Sequence, residues 1–122
     1  MESTTTIGRQ GEDLAVDWLR AHGYTIVARN YRRRFGEVDV IAHQGEYLVF
    51  VEVKTRSSGR FGSPFDAVTL RKQQQLSRIA KDYLVRNKKM DTPCRFDVLS
   101  IILAEDRPPT VDIIVNAFEY ID

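Results

Sequence analysis

Two β-rich runs joined at a single glycine constrain this chain more than any other feature of its sequence. The stretch GEVDVIAHQGEYLVFVEVKTR, residues 36–56, carries mainly aliphatic and aromatic residues on both sides of Gly45. Such residues favour extended backbone, and a short turn that contains glycine is typical of a hairpin. The stretch therefore predicts two antiparallel strands with Gln44-Gly45 as the turn, and this turn fixes which residues pair.

Charged residues interrupt one face of the predicted hairpin. With that turn, Glu37 lies opposite Glu52, and Asp39 is the diagonal neighbour of Glu52, about 7–8 Å away at the backbone. Side chains alternate along a strand, so Asp39, Glu52 and Lys54 share one face. The other face is apolar throughout: Val38, Val40, Val49, Val51 and Val53. We expect both faces to be covered, with a carboxylate pocket at one end.

Two carboxylates and a lysine in this arrangement suit the cleavage of a phosphodiester bond. Carboxylate oxygens held on strands are ligands that Mg²⁺ and Mn²⁺ prefer. Lys54 points the same way as Glu52 and can hold a water or offset charge on a phosphate. The ordinary alternative is that Glu52 and Lys54 pair with each other while Asp39 lies at an exposed edge. Asp39 on the same face favours the metal site.

The N-terminal part of the chain predicts a helix and a strand before the hairpin. Residues 9–22 carry an apolar stripe with helical spacing, which Gly23 ends, and residues 24–30 are rich in strand-forming residues. Glu12 lies on the inward side of this helix and can reach the metal through a water. The equally good alternative is a first-turn glutamate that the helix dipole favours.

The rest of the chain completes an α/β pattern. Thr69 is a predicted N-cap, and residues 94–103 and 111–118 predict two further strands. The second helix follows Thr69 and carries the apolar stripe Leu76, Ile79, Ala80, Tyr83 and Leu84. The order helix, three strands, helix, two strands predicts an α/β sandwich with a mixed sheet, because the second helix is long enough to cross over to a parallel strand.

The middle of the chain is basic, although the net charge is only +1. Between Arg29 and Lys89, fourteen Lys or Arg residues stand against six Asp or Glu residues. This excess favours a polyanionic partner, with a solvated basic surface as the alternative. The residues predicted to contact nucleic acid are Arg32, Arg33, Arg34, Arg56, Arg60, Arg71, Lys72 and Gln73.

Composition and termini exclude several classes of protein. The single cysteine, Cys94, excludes an internal disulfide and a multi-cysteine zinc site. No apolar run reaches the roughly 18 residues of a membrane span, and the N-terminus lacks the pattern of a signal peptide. We therefore expect one cytoplasmic domain over residues 1–122, with residues 1–7 frayed.

Four segments, in order and at compatible spacing, resemble the YraN family of small bacterial proteins. They are GRQGEDLA (8–15), NYRRRFGEVDVIA (30–42), LVFVEVKTRSSGRFG (48–62) and RFDV (95–98). That family is similar to the restriction-endonuclease-like nucleases, which include archaeal Holliday junction resolvases. The resemblance implies a restriction-endonuclease-like fold and a metal site at Glu12, Asp39, Glu52 and Lys54, and resolvases also imply a homodimer. Val38 departs from the proline that many relatives carry before the aspartate.

The sequence therefore favours a Mg²⁺- or Mn²⁺-dependent endonuclease that acts on DNA, with branched and single-stranded DNA as candidate substrates. One alternative is a catalytically silent nucleic-acid-binding module of the same fold that acts with a recombination or repair partner. Another is an assembly protein whose basic surface meets an acidic protein.

Overall fold

The computed structural model describes residues 4–57 and 68–122, and within these ranges the chain forms two helices and five strands. The elements are α1 (Thr4–Ala21), β1 (Thr25–Arg33), β2 (Gly36–Gln44), β3 (Tyr47–Arg56), α2 (Leu70–Arg86), β4 (Cys94–Ala104) and β5 (Arg107–Ile114). Most of the predicted loop at 56–66, with Arg60 in it, lies outside the described residues. Neither described helix is both long and apolar enough to cross a bilayer.

The strands form one mixed sheet in the order β1-β2-β3-β4-β5. β3 and β4 run parallel, and the other neighbouring pairs run antiparallel. α2 makes the crossover between the two parallel strands, as its length predicts. The predicted fold class is confirmed: the chain is an α/β domain with a mixed sheet between two helices, consistent with a restriction-endonuclease-like fold.

The core lies in two layers, one on each face of the sheet. On one face, α1 packs through Ala15, Val16 and Leu19 against a cluster that includes Val40, Val49, Val51, Leu99 and Ile101. On the other face, α2 packs through Leu76, Ile79 and Ala80 against Ile41, Leu48, Phe50 and Phe96. Both faces are covered, as predicted. The buried aliphatic side chains supply most of the free energy that stabilises the fold.

A buried ion pair fastens three distant segments of the chain. Asp97 of β4 is 1% exposed and receives two hydrogen bonds from Arg95, each 2.9 Å long. Its carboxylate also accepts hydrogen bonds from the hydroxyl of Tyr24 at 2.8 Å and from the backbone N–H of Asn116 at 2.9 Å. Burial and the neighbouring carboxylate raise the pKa of Tyr24 to about 12. The RFDV segment therefore ties the start of β1 and the end of β5 to the sheet.

The first helix begins earlier than predicted. α1 starts at Thr4, so the predicted start of the helix at Arg9 is wrong. The reason is that Ile7 and Gly11 extend the inward spacing of Leu14 and Trp18 by two further turns.

The hairpin turn lies one residue later than predicted. Gln44 pairs with Tyr47, so the turn residues are Gly45 and Glu46. Gly45 has a φ of +58°, and this left-handed conformation explains why the glycine takes the first turn position. The register moves by two residues, so Val40 pairs with Val51 and Ile41 with Phe50. Continued by one residue, this register puts Asp39 across from Glu52 rather than diagonal to it.

The last strand was predicted four residues too late. β5 runs from Arg107 to Ile114 and includes Pro108 and Pro109, which precede the predicted strand. Among the described strands, β5 pairs with β4 alone and lies at the edge of the sheet, where a proline can occur without breaking a ladder on its open side.

Candidate functional site

The candidate site lies where the regular alternation of side chains along β1 and β2 is interrupted. Arg29 pairs with Val40 and Tyr31 pairs with Val38, which leaves Asn30 across from Asp39. Asn30 has a φ of +52°, a left-handed conformation that asparagine tolerates better than most residues. The local twist breaks the alternation of side chains along both strands.

Because of this break, Val38 lies on the opposite face of the sheet from the one predicted. Val40 packs on the α1 side of the sheet, but Val38 packs with Tyr31 in the cluster on the α2 side. The prediction that Val38 shares a face with Val40 is therefore wrong. The asparagine in β1 was the available signal, because a residue that adopts left-handed backbone interrupts the period of a strand.

Asp39 occupies the gap that the twist opens between β2 and β3. Backbone pairing between the two strands runs from Gln44 opposite Tyr47 to Val40 opposite Val51. Beyond it, the backbone N–H of Val53 donates to Oδ2 of Asp39 at 2.7 Å. The aspartate is thus held by β3 rather than lying at an exposed edge.

The carboxyl groups of Asp39 and Glu52 are close enough to share a proton. Burial, the charge of Glu52 and a hydrogen bond with it together raise the pKa of Asp39 from its ordinary 3.8 to about 7. The Val53 N–H and the charge of Lys72 act in the opposite direction. The pair is therefore short of positive charge, which is the condition that a bound cation relieves.

Glu52 reaches the α2 side of the sheet and contacts Lys72. Glu52 is 8% exposed, and Nζ of Lys72 lies 3.0 Å from Oε2 of Glu52. The alternative that Glu52 pairs with Lys54 is therefore not what the structure shows. Within the described ranges, Lys54 forms no ion pair, and it lines the same cavity as Asp39.

Glu12 approaches the site from the α1 side. Its Oε1 accepts hydrogen bonds from Nδ2 of Asn30 at 2.8 Å and from Nη2 of Arg29 at 3.2 Å. Because Asn30 lies across from Asp39, the helix glutamate reaches the same break in the sheet. Glu12 lies in the third turn of α1, so a role as a first-turn residue that the helix dipole stabilises does not apply.

Gly11 allows the close approach of α1 to β3. A Cβ atom at this position would lie 1.9 Å from Oγ1 and 2.7 Å from Cβ of Thr55, so a larger residue would displace the helix. The adjacent Glu12 is brought to the strands by this contact.

A cavity of about 580 Å³ joins three of the four predicted site residues, Glu12, Asp39 and Lys54. Glu52 touches Asp39 from the other side of the break. The described residues contain no group of three or more His, Cys, Asp or Glu side chains that could together hold a metal. The donors that fit a hard cation are thus the crowded carboxylate pair, and Glu12 lines the same cavity as Asp39.

Five of the predicted nucleic-acid contacts line two cavities on the α2 side. A cavity of about 460 Å³ is lined by Arg32, Arg33, Arg34 and Lys72, together with Gly36, Glu37 and Gln75. A second cavity of about 450 Å³ shares Lys72 and Gln75 with the first, and is otherwise lined by Phe35, Thr69, Arg71, Gln74 and Arg78. Lys72 therefore connects the carboxylate pair to both basic cavities.

The individual candidates differ in how they are held. Arg32 pairs with Glu37 at 2.7 Å, and Arg33 pairs with Asp82 at 3.3 Å. Gln73 donates to the backbone carbonyl of Val68 at 3.1 Å, so its side chain is used to hold the segment just before α2. Arg34 and Arg71 are exposed, and Arg56 is half-buried at the end of β3.

Sequence reasoning missed two residues of this surface. Gln75 donates to the backbone carbonyl of Phe35 at 3.2 Å, and Arg78 stacks over the Phe35 ring with its Cζ 4.1 Å from the centroid. The available signal was the spacing of Lys72, Gln75 and Arg78, three residues apart on one face of α2.

The chain has a mixed five-stranded sheet, one helix on each face and a carboxylate pair in a break between two strands. These features are those of a restriction-endonuclease-like fold. The chain belongs to the uncharacterised protein family UPF0102, whose profile matches residues 11–101. This is the YraN family, so the predicted family is confirmed.

Relatives cover nearly the whole chain. A UPF0102 protein of Geobacter metallireducens is 46% identical over 114 residues, which is 93% of each chain. One from Symbiobacterium thermophilum is 48% identical over 112 residues, covering 92% of this chain and 95% of the relative. One from Alkaliphilus oremlandii is 48% identical over 103 residues, covering 83% and 88%.

Proposed function

We propose that this protein is a Mg²⁺- or Mn²⁺-dependent endonuclease that hydrolyses phosphodiester bonds in DNA, branched DNA included. The observation that carries the proposal is the contact between the Asp39 and Glu52 carboxyls, since burial together with this contact raises the pKa of Asp39 to about 7. Buried acids held this close favour a divalent cation, because the cation removes their mutual repulsion.

In this proposal Asp39 and Glu52 hold the cation directly, and Glu12 assists through a water. The cation supplies Lewis-acid activation of a water and neutralises charge on the phosphate. Val53 orients Asp39 through its N–H at 2.7 Å, which fixes one carboxylate oxygen.

Lys54 acts on the reacting atoms from the same cavity. Its ammonium positions the attacking water or stabilises the negative charge that develops on the phosphate oxygens. Since no described carboxylate pairs with Lys54, its charge is available to a substrate. Arg34 and Arg71, which are exposed on the basic cavities, contact the phosphate backbone.

The test is a cleavage panel. Supercoiled, single-stranded and four-way-junction DNA are incubated with the protein in Mn²⁺ or in EDTA, beside Asp39→Asn and Lys54→Met. We expect cleavage in Mn²⁺ only, and its loss in both variants. The matched control is Asp17→Asn, an exposed acid of α1 that does not line the cavity of Asp39 and Lys54 and is expected to cleave like the wild type. Cleavage that survives Asp39→Asn and Lys54→Met would contradict the proposal.

A second candidate is a silent nucleic-acid-binding module of the same fold. It is favoured by the Lys72–Glu52 pair, which neutralises one acid of the site, and by the lack of a third metal-ligating side chain beside the pair within residues 4–57 and 68–122. Salt-dependent binding with no cleavage of any substrate in Mn²⁺ would support it over the nuclease.

A further inference from the structure

Lys72 lies where a cation is otherwise disfavoured. Thr69 is the N-cap of α2, so Lys72 is the third residue of the helix, and the first turn holds no acidic residue. The positive end of the helix dipole and the neighbouring Arg71 both repel an ammonium at this position. The placement of Lys72 must therefore be stabilised by another group.

That group is Glu52. Nζ of Lys72 lies 3.0 Å from Oε2 of Glu52 and donates to Oε1 of Gln75 at 3.2 Å. Gln75 is fixed in turn by its hydrogen bond to the carbonyl of Phe35. It packs so closely on Gly36 that a Cβ there would lie 2.6 Å from its side chain. The ammonium is thus positioned beside one acid of the carboxylate pair.

Lys72 can also leave this position without unfolding the chain. Its side chain is 29% exposed, whereas that of Glu52 is 11% exposed, so the lysine lies on the open side of the pair. Both basic cavities include Lys72 among their lining residues, beside Arg34 in one and Arg71 in the other. A rotation of its flexible side chain moves the ammonium from the carboxylate to a phosphate bound in those cavities.

We infer that Lys72 is a positioning residue that holds Glu52 until a divalent cation takes its place, and that the released ammonium then contacts the nucleic-acid phosphate. The inference rests on the proposed function, since it assigns an order to cation and substrate binding at the same site. Under this inference, the contact of Lys72 with the nucleic-acid backbone depends on a cation bound at the metal site, because the ammonium cannot contact Glu52 and a phosphate at the same time.

The first experiment measures Mn²⁺ affinity without nucleic acid, from the electron paramagnetic resonance signal of free Mn²⁺. Lys72→Gln removes the competing ammonium, so we expect about tenfold tighter binding than in the wild type. Lys72→Arg keeps the charge and is expected to bind like the wild type. Arg71→Gln removes an adjacent exposed charge that solvent screens, and is expected to change the affinity by less than about twofold. Asp39→Asn is expected to abolish binding.

The outcomes separate this inference from the proposed function. If wild type and Lys72→Gln bind Mn²⁺ equally while Asp39→Asn does not, the exchange is wrong and the metal site stands. An equal gain in Lys72→Gln and Arg71→Gln would also overturn the exchange, because it would reflect general electrostatics. If no variant binds Mn²⁺, both proposals fail.

The second experiment measures the binding of a short oligonucleotide by fluorescence anisotropy, in EDTA and in Ca²⁺ at matched ionic strength. We expect Lys72→Gln to weaken binding several-fold in Ca²⁺ and to leave it nearly unchanged in EDTA, where Glu52 holds the ammonium. An equal loss in both buffers would show that Lys72 contacts phosphate independently of Glu52, and would overturn the inference.

Discussion

Gly11 of α1 packs so closely on Thr55 of β3 that a Cβ on Gly11 would lie 1.9 Å from Oγ1 of Thr55. We expect Gly11→Ala to lower the free energy of unfolding by about 1–3 kcal/mol, because the branched Thr55 side chain cannot yield and the helix must shift. Metal-dependent cleavage should fall with it, since Glu12 follows Gly11. Denaturant unfolding and the cleavage panel measure the two effects.

The matched control is Gly8→Ala on the same helix. A Cβ at Gly8 meets nothing within 4 Å, so this change is expected to stabilise α1 by about 0.5–1 kcal/mol. If Gly8→Ala and Gly11→Ala had the same effect on stability, the contact with Thr55 would not constrain the helix.

Asp39 makes the stability of the metal-free protein depend on pH. Its pKa is 3.8 in the unfolded chain and about 7 in the folded chain, so the unfolded chain loses the proton first as the pH rises. Its contribution to stability is therefore fully present below pH 3.8 and is lost as the pH rises to about 7.

We expect Asp39→Asn to be more stable than the wild type at pH 8 in EDTA, by about 1–3 kcal/mol, since each pKa unit corresponds to about 1.4 kcal/mol and the carboxyl is only half-buried. Thermal unfolding between pH 5 and pH 8 measures the difference. Asp17→Asn, an exposed acid of α1, serves as the control. If the stability of the wild type and of Asp39→Asn changed with pH to the same extent, the raised pKa of Asp39 would be contradicted.

Removal of Asp97 is expected to be among the most destabilising single changes. Asp97→Ala leaves the Arg95 guanidinium, 11% exposed, without its counter-charge and removes the acceptor of Tyr24. A cost of about 3–5 kcal/mol is typical when one member of a buried ion pair is removed.

Chemical denaturation measures this loss, with Asp112→Ala on the exposed edge strand β5 as the control, expected within about 0.5 kcal/mol of the wild type. A small effect of Asp97→Ala would mean that the network contributes little to joining β1, β4 and β5.

Arg34 is expected to contact phosphate without reading sequence. Arg34→Gln should weaken the binding of all oligonucleotides to a similar degree and reduce the slope of log affinity against log salt by about one. Arg107→Gln, on the remote edge strand, should leave the slope unchanged. A slope that is equal in Arg34→Gln and in the wild type would remove Arg34 from the interface.

The order of elements, the mixed sheet and both core faces were predictable, because hydrophobic period and helix length report them directly. The turn was misplaced because Gln44-Gly45 and Gly45-Glu46 are both two-residue turns with glycine, and only the positive φ of Gly45 separates them. The face of Val38 was misassigned because the pattern assumes uninterrupted alternation, which Asn30 breaks.

The site was predictable in part. Strand alternation predicts that Asp39, Glu52 and Lys54 lie near one another, and in the structure Asp39 and Lys54 line one cavity while Glu52 contacts Asp39. The contact of Glu52 with Lys72 depends on how α2 lies across the sheet, and no local pattern encodes that placement. The contact of Gly11 with Thr55 is likewise set by the packing of α1 on β3.

The contact between Asp39 and Glu52 lets a proton compete with the proposed cation for the same carboxylates. With the pKa of Asp39 raised to about 7, this carboxyl holds a proton part of the time at neutral pH. Under the proposed function, a cation that binds there would expel this proton, so mild acidification of the medium would oppose cation binding, as a chelator does.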